Sequence, residues 1–291
     1  MNTFLPPVWA EGVARLRLGI EPVDALDPEP GARGRPPGTA VHLEHVPRPH
    51  PLPRGVDRTG RVPDDVGLPA LRRSPTGRFA VAFGAPATDR PDRLVVRIVD
   101  RFRRQLPRRL SLPAPDLGTV LAGEAAGAPP ARGCRPALFP SITYGIAPGA
   151  TAIRGQVFWQ ADGAPAQWVR VEGRSAGAPT TTWWAHGDER GEFLLVVGPL
   201  ERLQAISLSG VVDVDLNVHA RTRPAGTEPV DSPTGSRADP LWLLPVERVT
   251  DLAGDPVTAG TALPPGYTTT TTGTVRCRRG SVVRADPFLL P

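Results

Sequence analysis

The histidines are the first candidates for chemistry, because an imidazole can bind a metal ion or transfer a proton near neutral pH. Three of the five, His42, His45 and His50, lie within nine residues. In a strand, His42 and Glu44 point to one face and His45 to the other, so these donors do not converge. The stretch 47–53 also contains four prolines. We interpret it as a solvated loop and expect no metal site there.

The other two histidines lie near acidic residues. His186 precedes Asp188 and Glu189 in a polar turn, and His219 ends an alternating segment. The polar members of that segment share one strand face, where a metal or an acid–base pair could form: Asp213, Asp215, Asn217 and His219. Valines and a leucine alternate with them on the opposite face. A wet face over an apolar one is the simpler interpretation, so we expect no metal at these residues either.

Other catalytic signals are weak. The sequence contains neither of the glycine-rich phosphate-binding loops, G-x-G-x-x-G or G-x-x-x-x-G-K. No nucleophile, base and cofactor site combine into a catalytic constellation. The sequence therefore predicts that the protein is not an enzyme, with no catalytic residue, no bound metal and no cofactor. The two cysteines, Cys134 and Cys277, exclude a framework of several disulfides. We expect separate reduced thiols, with one disulfide between them as the alternative.

Charge and hydropathy restrict the choice of partners. The 34 basic residues, all arginine, outnumber 29 acidic ones, which gives a net charge of +5. The densest basic cluster, 97–109, is interleaved with apolar residues, so no nucleic acid is expected. The N-terminus lacks the basic and apolar regions of a signal peptide, and no apolar run reaches the roughly 18 residues that span a bilayer. We expect cytoplasmic synthesis, with release or association with a particle by another route.

Short alternating segments separated by turn signals predict a β-sandwich over residues 152–220. Ile153, Gly155 and Val157 occupy one face of the first strand, and Asp162-Gly163 is a hairpin signal. Further strands are predicted at 168–173, 180–184, 192–197 and on both sides of Gly210. The N-terminal region follows a similar plan, with strands predicted at 14–20, 39–44, 79–83 and 93–100. For the last of these, a helix also fits the apolar spacing.

A turn signature occurs in both regions. Residues 74–79 and 188–193 each contain a turn residue, two intervening positions, a glycine, a charged residue and a phenylalanine. We expect Gly77 and Gly191 in the left-handed region that closes each turn. Phe79 and Phe193 would then be the first inward side chains, buried in equivalent places of two sandwiches of similar topology.

The segment from Ile153 to Val197 resembles the carboxypeptidase regulatory-like (transthyretin-like) β-sandwich. The matching elements are 153–157, 163–165, 169–171 and 188–193, the last with the pattern D-x-x-G-x-F. The likeness extends over the predicted module 152–220 and only poorly to 14–112, where an insertion near 45–70 departs from the compact pattern. The resemblance implies a sandwich fold and an accessory, usually non-catalytic role, and brings no catalytic residues with it.

The 37 prolines divide the chain into folded blocks and extended connections. We predict an all-β protein with two sandwich modules, 1–113 (with a loop insertion) and 152–220. A linker rich in proline, alanine and glycine, 114–151, joins them, and an extended C-terminal arm, 221–291, follows. The arm is expected to pack on another surface, in cis or on a partner, with mostly irregular backbone. Its deletion (222–291) should leave both sandwiches folded.

Apolar side chains that the sandwiches or the arm cannot bury locally are the candidates for a protein interface. They are Trp183, Trp184, Trp242, Leu243, Leu244, Phe288 and Leu289. We expect a structural or adaptor protein that binds other subunits of a bacterial multi-protein particle, such as a phage-tail-like contractile injection system. A homo-oligomer is an open alternative for the assembly. The alternative function is a carbohydrate or cell-surface binding module, which exposed coplanar tryptophans would favour.

Overall fold

The computed structural model describes residues 15–27, 36–44, 70–83, 92–175, 182–198, 210–222, 241 and 243–291. Strands dominate this part of the chain. Its two helices are short: α1, Leu117–Ala125, and α2, Pro256–Ala259. The predicted all-β fold class is therefore confirmed. Neither helix has the length and apolar character needed to cross a membrane.

The first sandwich is built mainly from the N-terminal half. Its strands are β1 (Leu16–Ile20), β2 (Val23–Asp24), β3 (Thr39–Leu43), β4 (Phe79–Ala82), β5 (Arg93–Asp100), β6 (Arg108–Pro113), β7 (Gly133–Cys134) and β8 (Ala137–Leu138). One layer has the order β4-β1-β7 and is extended by the β2-β8 pair, and the other contains β6-β5-β3. Alternating apolar side chains from both layers meet in one core, which includes Leu18, Phe79, Val96 and Leu110.

The second sandwich combines strands from residues 151–220 with strands from residues 269–290. Its strands are β9 (Thr151–Trp159), β10 (Arg170–Ser175), β11 (Thr182–His186), β12 (Glu192–Val197), β13 (Val211–Ala220), β15 (Thr269–Arg278), β16 (Val282–Arg284) and β17 (Phe288–Leu290). One layer has the order β12-β9-β16, with β17 also on β9, and the other β11-β10-β13-β15. The core between them includes Ile153, Val171, Phe193, Leu216 and Phe288.

The two sandwiches share one strand order. In the first sandwich, β4 pairs antiparallel with β1, and neighbouring strands in β3-β5-β6 are antiparallel. In the second, β12 pairs antiparallel with β9, and neighbouring strands in β10-β13-β15 are antiparallel. Two further strands are equivalent: β7 lies parallel to β1, and β16 lies parallel to β9. Both sandwiches also use strands from outside the predicted bounds, 14–112 and 152–220. β5 is a strand rather than a helix, because it pairs on both sides.

The repeated turn has the same hydrogen bonds in both copies. The amide of Gly77 donates to the Ser74 carbonyl (2.9 Å) and that of Gly191 to the Asp188 carbonyl (3.2 Å). The Ser74 hydroxyl accepts from the Arg78 amide, and the Asp188 carboxylate accepts from the Glu192 amide. Both glycines have positive φ, +81° and +71°. The phenylalanines that follow, Phe79 and Phe193, are buried in their respective cores, as predicted.

The linker predicted over 114–151 contains structure that belongs to the first sandwich. It begins with α1, whose N-cap Asp116 accepts a hydrogen bond from the amide of Thr119. It continues with β7 and β8, which pair with β1 and β2. Cys134 and Leu138 of these short strands are buried in the first core. The prolines of this segment lie around two-residue strands, where few backbone donors are needed.

The C-terminal region differs most from its prediction. It packs in cis, on the chain's own sandwiches, and where an extended arm was predicted it contributes paired strands to both of them. β15 pairs with β13 over ten residues, and β16 and β17 pair with β9. A further strand, β14 (Val246–Arg248), pairs parallel with β6 of the first sandwich. The threonine run forms a strand because β-branched side chains favour a pleated surface once a partner strand is available.

Candidate functional site

The predicted interface residues of the C-terminal region divide into buried and exposed side chains. Leu244 is buried, and Phe288 lies in the second core with its ring 6.1 Å from that of Phe193. Leu243 and Leu289 are 47% and 53% exposed. Trp242 lies outside the described residues. Within the chain, Leu244 and Phe288 therefore already have contacts, while Leu243 and Leu289 remain apolar surface.

Trp183 and Trp184 point to opposite faces of β11, as expected for neighbours on a strand. Trp183 packs against the core of the second sandwich. Trp184 packs against Val23, Ala137 and Phe139 of the first sandwich. Both indoles are partly buried, as is Trp159, and Trp168 is buried. The four described tryptophans thus belong to the interior and to the contact between the sandwiches.

The histidines are placed apart. His42 is buried on β3, while His45 and His50 lie outside the described residues. His186 and His219 lie on β11 and β13. In the part of the chain that the structure describes, no three histidine, cysteine, aspartate or glutamate side chains come together as metal ligands.

Two of the acids beside His219 have other partners. Asp213 forms an ion pair with Arg276 (2.8 Å), and Asp215 accepts a hydrogen bond from the Thr274 hydroxyl (2.6 Å). Both contacts join β13 to β15 across the outer face of the sheet. The side chains of these two acids therefore link β13 to β15.

One serine lies in a catalytic-looking pattern. Residues 173–177 have the spacing Gly-x-Ser-x-Gly, centred on Ser175. In an esterase elbow the serine stands on a sharp turn between a strand and a helix. Ser175 instead is the last residue of β10, buried and paired with Val214. This geometry does not present it as a nucleophile.

The cysteines are separate thiols, as predicted. Cys134 lies in the first core and Cys277 in the second. Burial raises the pKa of the Cys134 thiol to about 12 and that of Cys277 to about 11. Because the thiolate is the reactive form, both side chains are inert fillers of their cores at neutral pH.

The most unusual cluster of charge lies where the two sandwiches meet. Arg108 of β6, Glu247 of β14 and Arg170 of β10 form what we call the junction network. Two nitrogens of Arg108 donate to the two carboxylate oxygens of Glu247, at 3.1 and 2.7 Å. Arg170 donates to the same carboxylate at 3.2 Å. All three side chains are at most 2% exposed.

Backbone carbonyls extend the junction network. Arg108 also donates to the carbonyls of Ala137, Val257 and Thr258. Arg170 donates to the carbonyl of Trp168 (3.0 Å), and its guanidinium lies 5.6 Å from the ring centroid of Tyr267. Burial alone would raise the pKa of Glu247, but the two arginines outweigh it and lower the pKa below its usual value. The carboxylate is therefore ionised and bridges the two sandwiches.

A second contact lies beside the network. The imidazole of His186 stacks on Phe139 with ring centroids 3.8 Å apart, and its Nε2 lies 3.0 Å from the carbonyl oxygen of Gly260. Desolvation and the nearby charges of Arg170 and Arg108 hold the pKa of His186 well below its usual range. The ring is therefore neutral at physiological pH. It packs between the sandwiches through its stacking on Phe139 and its hydrogen bond to Gly260.

The residues 243–268, which lead from the second sandwich to the first and back, are here named the crossover. They contain β14, whose strand neighbour is β6, and α2. The amide of Val249 donates to the Ser111 carbonyl (3.0 Å), and the hydroxyl of Tyr267 donates to the Trp168 carbonyl (2.6 Å). The crossover is thus fixed to both sandwiches.

The junction network was not predicted from the sequence. One signal existed: Arg108 is in phase with Leu110 and Leu112, the inward side chains of β6, which is an unusual place for an arginine. Glu247 likewise is in phase with the buried Val249. The pairing itself was not predictable, because 139 residues separate Arg108 from Glu247.

Comparisons with known proteins identify no relatives. No protein-family model matches the sequence, and no curated protein is similar to it. A 9R-lipoxygenase from Cyanothece PCC8801 matches at a TM-score of 0.24 and 14% identity, over 61% of this chain and 21% of that one. A minor pilin of Streptococcus agalactiae matches at a TM-score of 0.21 and 8% identity, over 94% and 95% of the two chains. Such low scores carry no structural argument.

Proposed function

We propose that this chain is a non-enzymatic structural or adaptor component of a bacterial multi-protein particle, which binds other protein subunits. The observation that carries the proposal is the joint between the sandwiches. A buried ion network, an aromatic stack and a strand contributed by the second half to the first fix one relative orientation. A protein that only tethers two binding domains needs no such joint, since flexible linkers suffice.

The chemistry of the joint supports this argument. Buried ion pairs are costly to desolvate, and well-packed apolar residues of similar volume often stabilise a fold equally well. Arg108, Glu247 and Arg170 instead select one relative orientation of the two sandwiches, because any other orientation would leave these charges buried without partners. A rigid two-module unit of this kind suits a spacer or adaptor that must hold its neighbours at fixed distances.

The distribution of arginine agrees with protein partners rather than nucleic acid. Arg97 and Arg109 form ion pairs with Glu44 at 2.9 and 2.7 Å, and Arg108 is in the junction network. Three arginines of the densest basic cluster are therefore buried in pairs. A nucleic-acid protein would concentrate such charge on an exposed surface.

The type of particle is a narrower proposal. A phage-tail-like contractile injection system is suggested by the resemblance of the second sandwich to accessory β-sandwich domains, and by a fixed tandem of small sandwiches. The carbohydrate-binding alternative needs an exposed aromatic platform. The four described tryptophans are instead buried or partly buried, so we do not favour it.

The test is to attach an affinity tag to the chain in the bacterium that makes it and to isolate its complexes under native conditions. We expect the tagged protein in a large particle, visible by electron microscopy, in a fixed ratio to other structural subunits. Deleting the gene should reduce the yield of intact particles. Recovery of the protein only as a free species, with particles unaffected by the deletion, would contradict the proposal.

A further inference from the structure

The longest edge strand of the described sheets has no neighbour on one side. β15 pairs with β13 through ten consecutive residues, Thr269–Arg278, with an unbroken register. It ends the order β11-β10-β13-β15, and among the described residues no strand pairs with its other side. Such an edge presents a row of backbone donors and acceptors to solvent. The other edge strands are six residues long or shorter.

Over residues 269–275, β15 lacks the features by which proteins usually protect an edge. Proline, lysine, a bulge and an inward-pointing charge all discourage the addition of another strand. The sequence of β15, TTTTGTVRCR, contains no proline or lysine, and its pairing with β13 has no register shift. Its charged residues, Arg276 and Arg278, lie at one end and point outward.

The first sandwich shows that this position in the fold accepts a strand. β6 occupies the place in the first sandwich that β15 occupies in the second. Its outer edge pairs with β14 of the crossover. The last strands of the chain, β16 and β17, pair with β9 in the opposite layer of the second sandwich. β16 and β17 therefore do not pair with the edge of β15.

We propose that two copies of this chain associate by pairing their β15 strands antiparallel, so that two four-stranded sheets become one continuous sheet across a two-fold axis near Thr272. This inference deepens the proposed assembly role and rests on it. Two-fold pairs are the commonest symmetric assemblies of identical chains. Backbone hydrogen bonds would supply the affinity, as in other cases of strand addition.

The side chains of β15 favour a second copy in this orientation. Its outward row is Thr270, Thr272, Thr274, Arg276 and Arg278, which continues the exposed face of the sheet. Antiparallel pairing about Thr272 places Thr270 opposite Thr274 and keeps the arginines of the two copies at opposite ends. Cross-strand threonine pairs are stabilising, whereas like charges directly opposite are not. Parallel pairing in register would place Arg276 against Arg276.

The experiment is sedimentation velocity of the full chain over a wide range of concentrations. Wild type should shift with concentration from 30.9 kDa toward twice that mass. The double variant Thr270→Arg, Thr274→Arg puts arginine opposite arginine in two places and should weaken the dimer about tenfold. The variant Thr270→Asp, Thr274→Arg puts opposite charges together and should strengthen it. In parallel pairing this second variant would stack like charges and weaken the dimer.

A matched control adds two arginines elsewhere, at the exposed helix positions Leu117 and Leu121. It should leave the association unchanged. Three outcomes would overturn the inference: a wild type that stays monomeric at every concentration, a dimer that the Thr270→Arg, Thr274→Arg variant leaves intact, or one that both variants weaken. A monomer that still co-purifies with a particle would refute this pairing alone. A β15 dimer found in no particle would refute the proposed function alone.

Discussion

The two sandwiches have the same strand order but treat the same edge differently. In the first, the outer edge of β6 is covered by β14; in the second, the equivalent edge of β15 has no neighbour among the described residues. The difference follows from one connection. β5 reaches β6 through residues 101–107, whereas the chain between β13 and β15 covers 221–268 and travels to the first sandwich and back. The longer connection within the second sandwich therefore also joins that sandwich to the first.

The chemistry of the two edges differs as well. The covered edge brings three charged side chains into a dry junction, where each has a partner. The open edge carries threonines and keeps its arginines at one end. The edge of β6 is therefore specific for β14, because a strand without the Glu247 carboxylate would leave the buried arginines unpaired. The other edge makes mainly backbone and hydroxyl contacts available.

The largest expected effect comes from removing residues 222–291. The truncated chain loses β15, β16 and β17, and with them Cys277, Phe288 and Leu290 of the second core. It also loses β14 and the carboxylate between two arginines. We expect the second sandwich to unfold, seen as lost near-ultraviolet circular dichroism and no cooperative thermal transition. Two cooperative folded sandwiches in the truncated chain would show that the C-terminal strands are dispensable.

Replacing Glu247 with alanine should be the most damaging single substitution at the junction. It leaves Arg108 and Arg170 buried without their carboxylate, which typically costs about 3–5 kcal/mol. Urea denaturation gives the free energy of unfolding. The matched control is Asp213→Ala, which removes the exposed ion pair with Arg276 and should reduce the free energy of unfolding far less, because solvent screens that pair. Equal losses for both variants would mean that the network does not hold the sandwiches together.

The repeated turn allows a substitution that compares the sandwiches directly. Gly77→Ala and Gly191→Ala both force a side chain into positive φ, which costs about 1–2 kcal/mol. At Gly191 the new methyl would also lie 2.5 Å from the Val157 carbonyl oxygen. We therefore expect Gly191→Ala to destabilise the fold more than Gly77→Ala, measured by thermal denaturation. A larger loss at Gly77 would show that crowding by the Val157 carbonyl does not add to the cost at Gly191.

A smaller effect depends on pH. The pKa of His186 is lowered in the folded protein. Below about pH 6.5, the unfolded chain therefore binds a proton at this residue that the folded chain does not bind. Stability due to this group is present above that pH and is lost as the pH falls, by at most about 1.4 kcal/mol per pH unit. His186→Gln, which can still donate to the Gly260 carbonyl, should reduce this loss between about pH 6.5 and pH 5.

The partly buried His219 is the control for that experiment. It lies opposite Arg170 on the neighbouring strand. Desolvation lowers its pKa and the charge of Glu172 opposes that lowering, whereas at His186 the charges of Arg170 and Arg108 add to the effect of desolvation. His219→Gln should change the slope of stability against pH less than His186→Gln does. An unchanged slope in the His186 variant would show that the junction does not exclude the proton.

Local patterns in the sequence predicted much of the fold. Alternation located most strands, and the glycine in each turn placed Phe79 and Phe193 in their cores, because these features depend on neighbouring residues alone. Long-range pairing was not predictable in the same way. The threonines of β15 form a strand only because β13 lies beside them, and Glu247 is buried only because arginines from both sandwiches reach it. Proline content suggested an arm where the chain makes core strands.

Amide hydrogen exchange, resolved by residue, tests the difference between the two edges most directly. It is measured at low protein concentration, so that copies do not associate. Arg109, Leu110 and Ser111 have strand neighbours on both sides and should be protected at consecutive positions. Along β15 only the amides that face β13 are bonded, so protection should alternate. Continuous protection along β15, or alternation at 109–111, would contradict the claim that one edge is covered and the other open.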